Sequence, residues 1–182
     1  ILSSPPGAGK TEAITSIAPY LDIAAGRSVT IATPTIAGAY DLAVRLKEKV
    51  ERLNDEHGSE THVVLVGGSF NPRKSHGVAV EKSGRPDNGK ICVRTIAATK
   101  LARSATDVLI VDEAYQSTAL DVREAAAYAS QVLLVGDPGQ IGPVITIDTI
   151  AWDSLPDSPA LRAPEMFETW PDAVKLHLET TF

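Results

Sequence analysis

The chain has 182 residues, 43% hydrophobic and 22% charged, which suits one globular α/β domain with a full core. No apolar run approaches the roughly 20 residues that cross a bilayer, no basic segment leads into an apolar one as in a secretory signal, and the single cysteine, Cys92, excludes an internal disulfide and fits a reducing cytoplasm. A net charge of -6 argues against a protein that coats nucleic acid by bulk attraction.

The charge is uneven. Arg45 to Arg103 holds 12 Lys/Arg and 7 Asp/Glu, so a +5 middle sits in a chain that is otherwise at -11. That middle is either a track for a phosphate backbone or a solvated face without a partner.

In chain order, Ile1-Leu2 reads as the end of a buried strand. A whole strand needs about five residues, so the start of the domain is expected upstream. Ser4-Pro5-Pro6-Gly7-Ala8-Gly9-Lys10-Thr11 follows, and a helix begins near Lys10 with Ile14, Ile17 and Leu21 on one face. A glycine-bearing loop between strand and helix is the arrangement of a phosphate-binding loop. Gly7 and Gly9 let the backbone of Pro6 to Glu12 approach phosphates and turn N–H groups toward them. The helix N-terminus adds the positive end of its dipole. Lys10 supplies charge for the β- and γ-phosphates, and the Thr11 hydroxyl suits Mg²⁺. The general pattern has Gly where this chain has Ser4. Pro19 is expected to kink or end the helix.

Val29 to Ala32 reads as a strand broken by Thr33-Pro34-Thr35. A helix with Leu42, Leu46, Val50 and Leu53 on one face follows, with Asn54 and Gly58 as stop signals. His62 to Val66 and Ile91 to Thr95 are strands, separated by a polar stretch, Gly67 to Gly89, read as a loop or small hairpin. Val108 to Val111 and Val132 to Val135 are apolar throughout, as in strands buried on both faces of a parallel sheet. A helix containing Leu120, Val122 and Ala125 to Ala127 lies between them. Beyond Pro143 the pattern weakens, with a helix expected near Pro164 to Trp170 and a strand near Val174 to Leu178. Strands alternating with helices predict a doubly wound, mostly parallel α/β sheet.

Asp112-Glu113 stands at the C-terminal tip of a buried strand, where open α/β sheets place their chemistry. Asp112 suits a Mg²⁺ held through water, and Glu113 suits the base that polarises water attacking a γ-phosphate. The same acids are also what a helix start favours. Gly136-Asp137-Pro138-Gly139-Gln140 is either a plain Asp-Pro-Gly turn or a loop that aims the Gln140 amide at the γ-phosphate. Tyr115 is a packing residue or a stacking platform. Trp152 and Trp170 read as packing residues. His57, His62, His76 and His177 show no metal spacing.

Taken together, Ser4 to Thr11, Asp112-Glu113-Ala114-Tyr115-Gln116 and Gly136 to Pro143 resemble motifs I, II and III of superfamily 1 helicases, in the D-E-A-x-Q and G-D-x-x-Q forms of the 5′-to-3′ branch. The resemblance covers nearly the whole chain. It implies a first RecA-like motor domain that binds ATP and Mg²⁺, with Lys10, Glu113 and Gln140 catalytic and Thr11 and Asp112 on the metal. Ala32 to Thr35 resembles motif Ia and Thr95 to Leu101 motif Ic, which implies contacts from Thr33, Pro34, Thr35 and Thr95 to single-stranded DNA or RNA. Gly67 to Gly89 falls where the family inserts a small subdomain. Leu176 to Phe182 is similar to the segment before a γ-phosphate-sensing arginine, so the chain is expected to be a fragment, weak in hydrolysis, that works with a second RecA-like domain. PhoH-like proteins share the second and third motifs, so a non-unwinding P-loop ATPase or regulatory nucleotide switch is the alternative.

Overall fold

The computed structural model describes residues 1–145, 152 and 158–178. Of the segment Leu176 to Phe182, residues 179–182 lie outside the described residues.

Eight strands form one sheet: β1 (Leu2–Ser3), β2 (Val29–Thr33), β3 (His62–Val66), β4 (Ala79–Glu81), β5 (Lys90–Thr95), β6 (Thr106–Val111), β7 (Ala129–Gly136) and β8 (Leu176–His177). Their order is β4-β3-β5-β2-β6-β7-β1-β8, and every neighbouring pair is parallel. The central strand β2 is buried at all five positions, as a strand covered on both faces must be. Its register sets Ile31 opposite Val93 on one side and Ile110 on the other.

Successive side chains alternate faces. Ile31, Ile91, Val93 and Ile110 pack on one face against Ile14 of α1 (Lys10–Pro19) and Leu42, Leu46 and Val50 of α2 (Ile36–His57). Ala32, Leu109, Val111 and Leu134 pack on the other, against Ile96 of α3 (Ile96–Ala102), Val122 and Ala125 of α4 (Ala119–Ala126) and Phe167 of α5 (Ala163–Phe167). The doubly wound architecture expected from the strand–helix alternation is the one observed. The expected helix near Pro164 and strand near Leu176 are both present, each short.

Pro19 ends regular α-helix, because its missing N–H removes one rung, and the chain continues as a π-helical turn, Tyr20–Ala24. Asn54 does not stop α2, which runs on to Gly58. Its side chain instead holds the exit: Oδ1 accepts from Ser59 Oγ (2.7 Å) and Thr61 N (3.2 Å), and Nδ2 donates to Thr61 O (2.6 Å). The stretch 67–89 is not a hairpin. It bends through a 3₁₀ turn, Pro72–Lys74, and adds β4 to the sheet edge parallel to β3, anchored by buried Phe70 and Val78. The Tyr40 ring meets Phe70 edge-on at 5.4 Å. Trp170 packs on Phe167 with ring centres 4.5 Å apart, and Trp152 is 48% exposed.

Candidate nucleotide site

The loop after β1 is tied to the end of β7 by Ser4 N donating to Gly136 O at 3.1 Å. Ser4 is fully buried, and its hydroxyl finds no partner among the described residues. The departure from glycine therefore leaves one unsatisfied polar atom without opening the loop. Gly7 and Gly9 adopt φ of +78° and +84°, which a side chain would strain. A Cβ at either would meet nothing within 4 Å, so the strain is the backbone's and the space beyond is open. Gly9 occupies the N-cap of α1 with no side-chain cap, so the first-turn N–H groups are left for a ligand. Lys10 Nζ leans back onto the carbonyls of Pro5 (3.3 Å) and Ser4 (3.4 Å).

A cavity of about 610 Å³ opens over this loop. Pro6, Gly7, Gly9, Lys10, Thr11 and Glu12 line it, and Glu113 and Gln140 close it from β6 and β7. Ala8 is buried beneath the loop, with its N–H on Pro5 O. The walls that periodicity did not reveal are Arg45, Lys49 and Arg52 of α2. Their spacing of four and three puts them on one helical stripe, a signal that reads equally well as a solvated face. Lys49 Nζ bonds Glu12 Oε1 at 3.2 Å and so joins α2 to α1 beside the loop.

Asp112 and Glu113 occupy the tip of β6. Asp112 N is held by Ala32 O (2.9 Å), and its Oδ1 accepts from Glu113 N (3.0 Å). Burial, and then the neighbouring Glu113 charge, push the Asp112 carboxyl from 3.8 up to about 6, against the opposing pull of the Glu113 amide and the Lys10 ammonium. The Lys10 charge thus acts on Asp112, but Asp112 does not line the cavity that Lys10 shares with Glu113. Glu113 is left-handed at φ 52°, and its Oε2 is buried with no partner among the described residues. Two crowded carboxylates, one of them unsatisfied, fit a divalent cation. Mg²⁺ commonly takes one or two protein ligands together with substrate phosphates, and among the described residues no cluster of three or more His, Cys, Asp or Glu offers a fuller cage.

The raised Asp112 value has a stability consequence. The folded state keeps a proton that the unfolded chain would release, so its stabilisation is full below 3.8 and lost as pH rises to about 6. Chemical denaturation across that window should show stability falling with pH by at most on the order of 3 kcal/mol. Asp112→Asn should flatten the curve. A curve unchanged by that substitution would leave the shift without effect.

The third motif is physically joined to the second. Gln140 Oε1 accepts from Gln116 Nε2 at 3.2 Å. Asp137 is buried and turns its loop by accepting from Gly139 N at 2.8 Å. Arg162 Nη1 braces the same loop through Pro138 O at 3.1 Å. Gly136 is where β7 passes under the second motif: a Cβ there would sit 2.9 Å from Tyr115 Cδ2 and 3.1 Å from Ala114 N. Gly136→Ala should therefore destabilise by about 1–3 kcal/mol, as overpacking does, measured by urea denaturation. A neutral result would mean that the Asp112–Gln116 turn is free to shift. Tyr115 itself is buried at 6% exposure against Gly136, which removes it as a stacking platform.

Thr33, Pro34, Thr35 and Thr95 lie outside this cavity, at the ends of β2 and β5. Thr33 is buried and its hydroxyl donates to Thr35 O (2.8 Å), so it shapes the turn from within. Thr35 Oγ1 caps α2 through Gly38 N (3.0 Å), and Thr95 Oγ1 caps α3 through Ala98 N (3.1 Å).

The AAA domain family matches residues 1–151. No curated protein matches the chain. Among solved structures, the arterivirus nonstructural protein 10 helicase in complex with DNA is similar at TM-score 0.57 and 20% identity, over 97% of this chain and 34% of that one. The same helicase without DNA gives 0.53 and 19%, over 97% and 33%. Pif1 helicase from Candida albicans gives 0.38 and 14%, over 95% and 40%. The chain thus spans about a third of the arterivirus helicase chain, and the likeness is one of fold. No helix among the described residues is long and apolar enough to cross a membrane. With a family match over residues 1–151, a glycine-bearing loop between strand and helix and an all-parallel sheet, the chain belongs to the AAA domain family and has the RecA-like P-loop NTPase fold.

Proposed function

We propose that this domain is the ATP·Mg²⁺-binding motor half of a nucleic-acid helicase or translocase. The observation that carries the reading is the shared cavity: Lys10 and Thr11 from the phosphate loop face Glu113 and Gln140 across one space. In this reading the amides of residues 6–12 and the Lys10 ammonium bind the phosphates. Thr11 and Asp112 would hold Mg²⁺, which supplies positive charge to the phosphate oxygens. Glu113, which lines the cavity, takes the proton of the attacking water. Gln140 reports the γ-phosphate and passes that state to Gln116 through their hydrogen bond.

The arterivirus helicase of the same fold was solved with DNA. By that analogy Pro34, Thr35 and Thr95 touch a single strand, with Thr33 fixing the turn behind them. Such contacts position the backbone and carry no base specificity. A second RecA-like domain supplies the remaining γ-phosphate contacts, so the domain alone hydrolyses slowly.

The test is ATP turnover by the protein that carries this domain, with and without oligonucleotide. Stimulation by single-stranded DNA or RNA is expected. Turnover indifferent to any nucleic acid would overturn the motor reading in favour of the PhoH-like regulatory ATPase that the same motifs fit.

A further inference from the structure

On the second face of the sheet, β3 and β5 run side by side over a small buried cluster. Only Val64, Val66 and Cys92 cluster there. Against that patch lies a pocket of about 560 Å³, lined by Gly67 and Gly68 after β3, the 82–85 turn after β4, Arg94 of β5, and α3 through Ser104. None of its lining residues belongs to the nucleotide cavity.

Arg94 is the unusual member. It is a cation inside a strand, 1% exposed, and its Nε has no hydrogen-bond partner among the described residues. Its Nη2 donates to Gly84 O, which fastens the turn. No carboxylate forms an ion pair with it among the described residues; Glu81 at the same edge is taken by Lys90 at 2.7 Å. A buried guanidinium without a counter-charge is unfavourable unless an anion completes it. The Ser104 hydroxyl, also buried and unpartnered, lines the same pocket. Lys82 and Arg85 stand exposed in its lining, and no acid does. The apolar wall is Ala98, Leu101 and Ala102, with Leu101 85% exposed.

We propose that this pocket is a phosphate seat. The Arg94 Nε–H and the Ser104 hydroxyl donate to the phosphate oxygens, Lys82 and Arg85 add charge, and Leu101 offers an apolar surface for an attached sugar or base. Guanidinium is the side chain best suited to a phosphate held this way. The wall helix α3 is the one capped by Thr95. Identification of the phosphate as one from a single-stranded backbone rests on the nucleic-acid reading above; the pocket's chemistry does not.

The test uses the 182-residue chain. The Arg94 Nε–H signal, assigned by its loss in Arg94→Lys, is followed by NMR during titration with inorganic phosphate and, separately, with an oligothymidylate. In parallel, oligothymidylate affinity is measured by anisotropy for Lys82→Ala/Arg85→Ala, with Arg27→Ala/Arg123→Ala as a charge-matched control elsewhere on the surface. The expected result is a shift of the Arg94 signal with both ligands. Affinity falls about tenfold, and the salt slope drops by roughly 1.4 for two lost single-strand contacts. The control stays near wild type. A shift with phosphate and no oligothymidylate binding would uphold the pocket and overturn the nucleic-acid reading. Oligothymidylate binding with an unmoved Arg94 signal and equal losses in both double variants would overturn the pocket and leave that reading intact.

Discussion

Lys10→Ala is expected to lower ATP affinity about a hundredfold, roughly 2.7 kcal/mol, in a fluorescent-nucleotide titration of the purified domain. The magnitude follows from what the ammonium does. Charge-assisted hydrogen bonds contribute about 1.5–3 kcal/mol each, and Lys10 lines the cavity at the mouth of α1. Lys10 Nζ also donates to the carbonyls of Ser4 and Pro5. Alanine therefore removes two things, a phosphate partner and a loop clasp. The loop contacts, at 3.3 and 3.4 Å, are long and neutral, so the phosphate term should dominate. Thermal stability separates the two effects, since loss of the clasp alone should lower the melting temperature by only a few degrees. A further readout is electrostatic. Lys10 holds the Asp112 carboxyl down from where burial and Glu113 would place it. In Lys10→Ala that carboxyl should titrate above about 6, visible in its carbon chemical shift. Wild-type nucleotide affinity in this variant would remove Lys10 from the phosphate site, and the proposed motor with it.

Legibility in the sequence followed burial. β2, β3, β5, β6 and β7 were readable because a parallel sheet covered on both faces favours apolar runs such as Val108 to Val111; in Val132 to Val135 only Leu134 and Val135 are fully buried. β4 was not readable, because Ala79–Glu81 is an edge strand of three residues with no fully buried position and no run to detect. Asn54 misled for a physical reason: the residue that ends helices by bonding to nearby backbone does bond to nearby backbone here, but from within the last turn. The Ser4–Thr11 loop and the Asp112-Glu113 tip were locatable because each directly follows an apolar strand. What joins them was not. The Gln116–Gln140 bond, the Arg162 brace and the Gly136–Tyr115 approach link positions far apart in sequence, with no local period to announce them. Arg45, Lys49 and Arg52 have the right helical spacing but look like any solvated face until α1 is placed beside them. Arg94 is one of 12 basic residues between Arg45 and Arg103, and nothing local sets it apart. Its burial inside β5 is a tertiary fact.

Glu113→Gln is expected to abolish most hydrolysis while leaving nucleotide bound and the fold more stable. As the acceptor of the water's proton, Glu113 should contribute about 10²–10⁴ in rate. Single-turnover hydrolysis with enzyme in excess reads that loss directly, free of product release. The structural part of the argument concerns what Glu113 does to the resting protein. It sits in the left-handed region at φ 52°, which is unfavourable for an L-residue by about 1–2 kcal/mol. Its Oε2 is buried with no partner among the described residues, and its charge adds to burial in raising Asp112. Gln keeps the backbone strain and the shape but removes the charge. The Asp112 carboxyl should then fall from about 6 toward 3.8, and stability at neutral pH should rise by about 1 kcal/mol. Nucleotide affinity should hold or tighten, because one negative charge facing the phosphates is gone. These signs separate a base from a structural carboxylate. A structural Glu113 would lose stability on substitution and hydrolyse as before. A base gains stability and stops turning over, because the substitution removes both the unmatched charge and the acceptor of the water's proton. If Glu113→Gln hydrolyses at the wild-type rate, the proton acceptor lies elsewhere in the cavity, and Gln140, which binds no proton at neutral pH, cannot replace it.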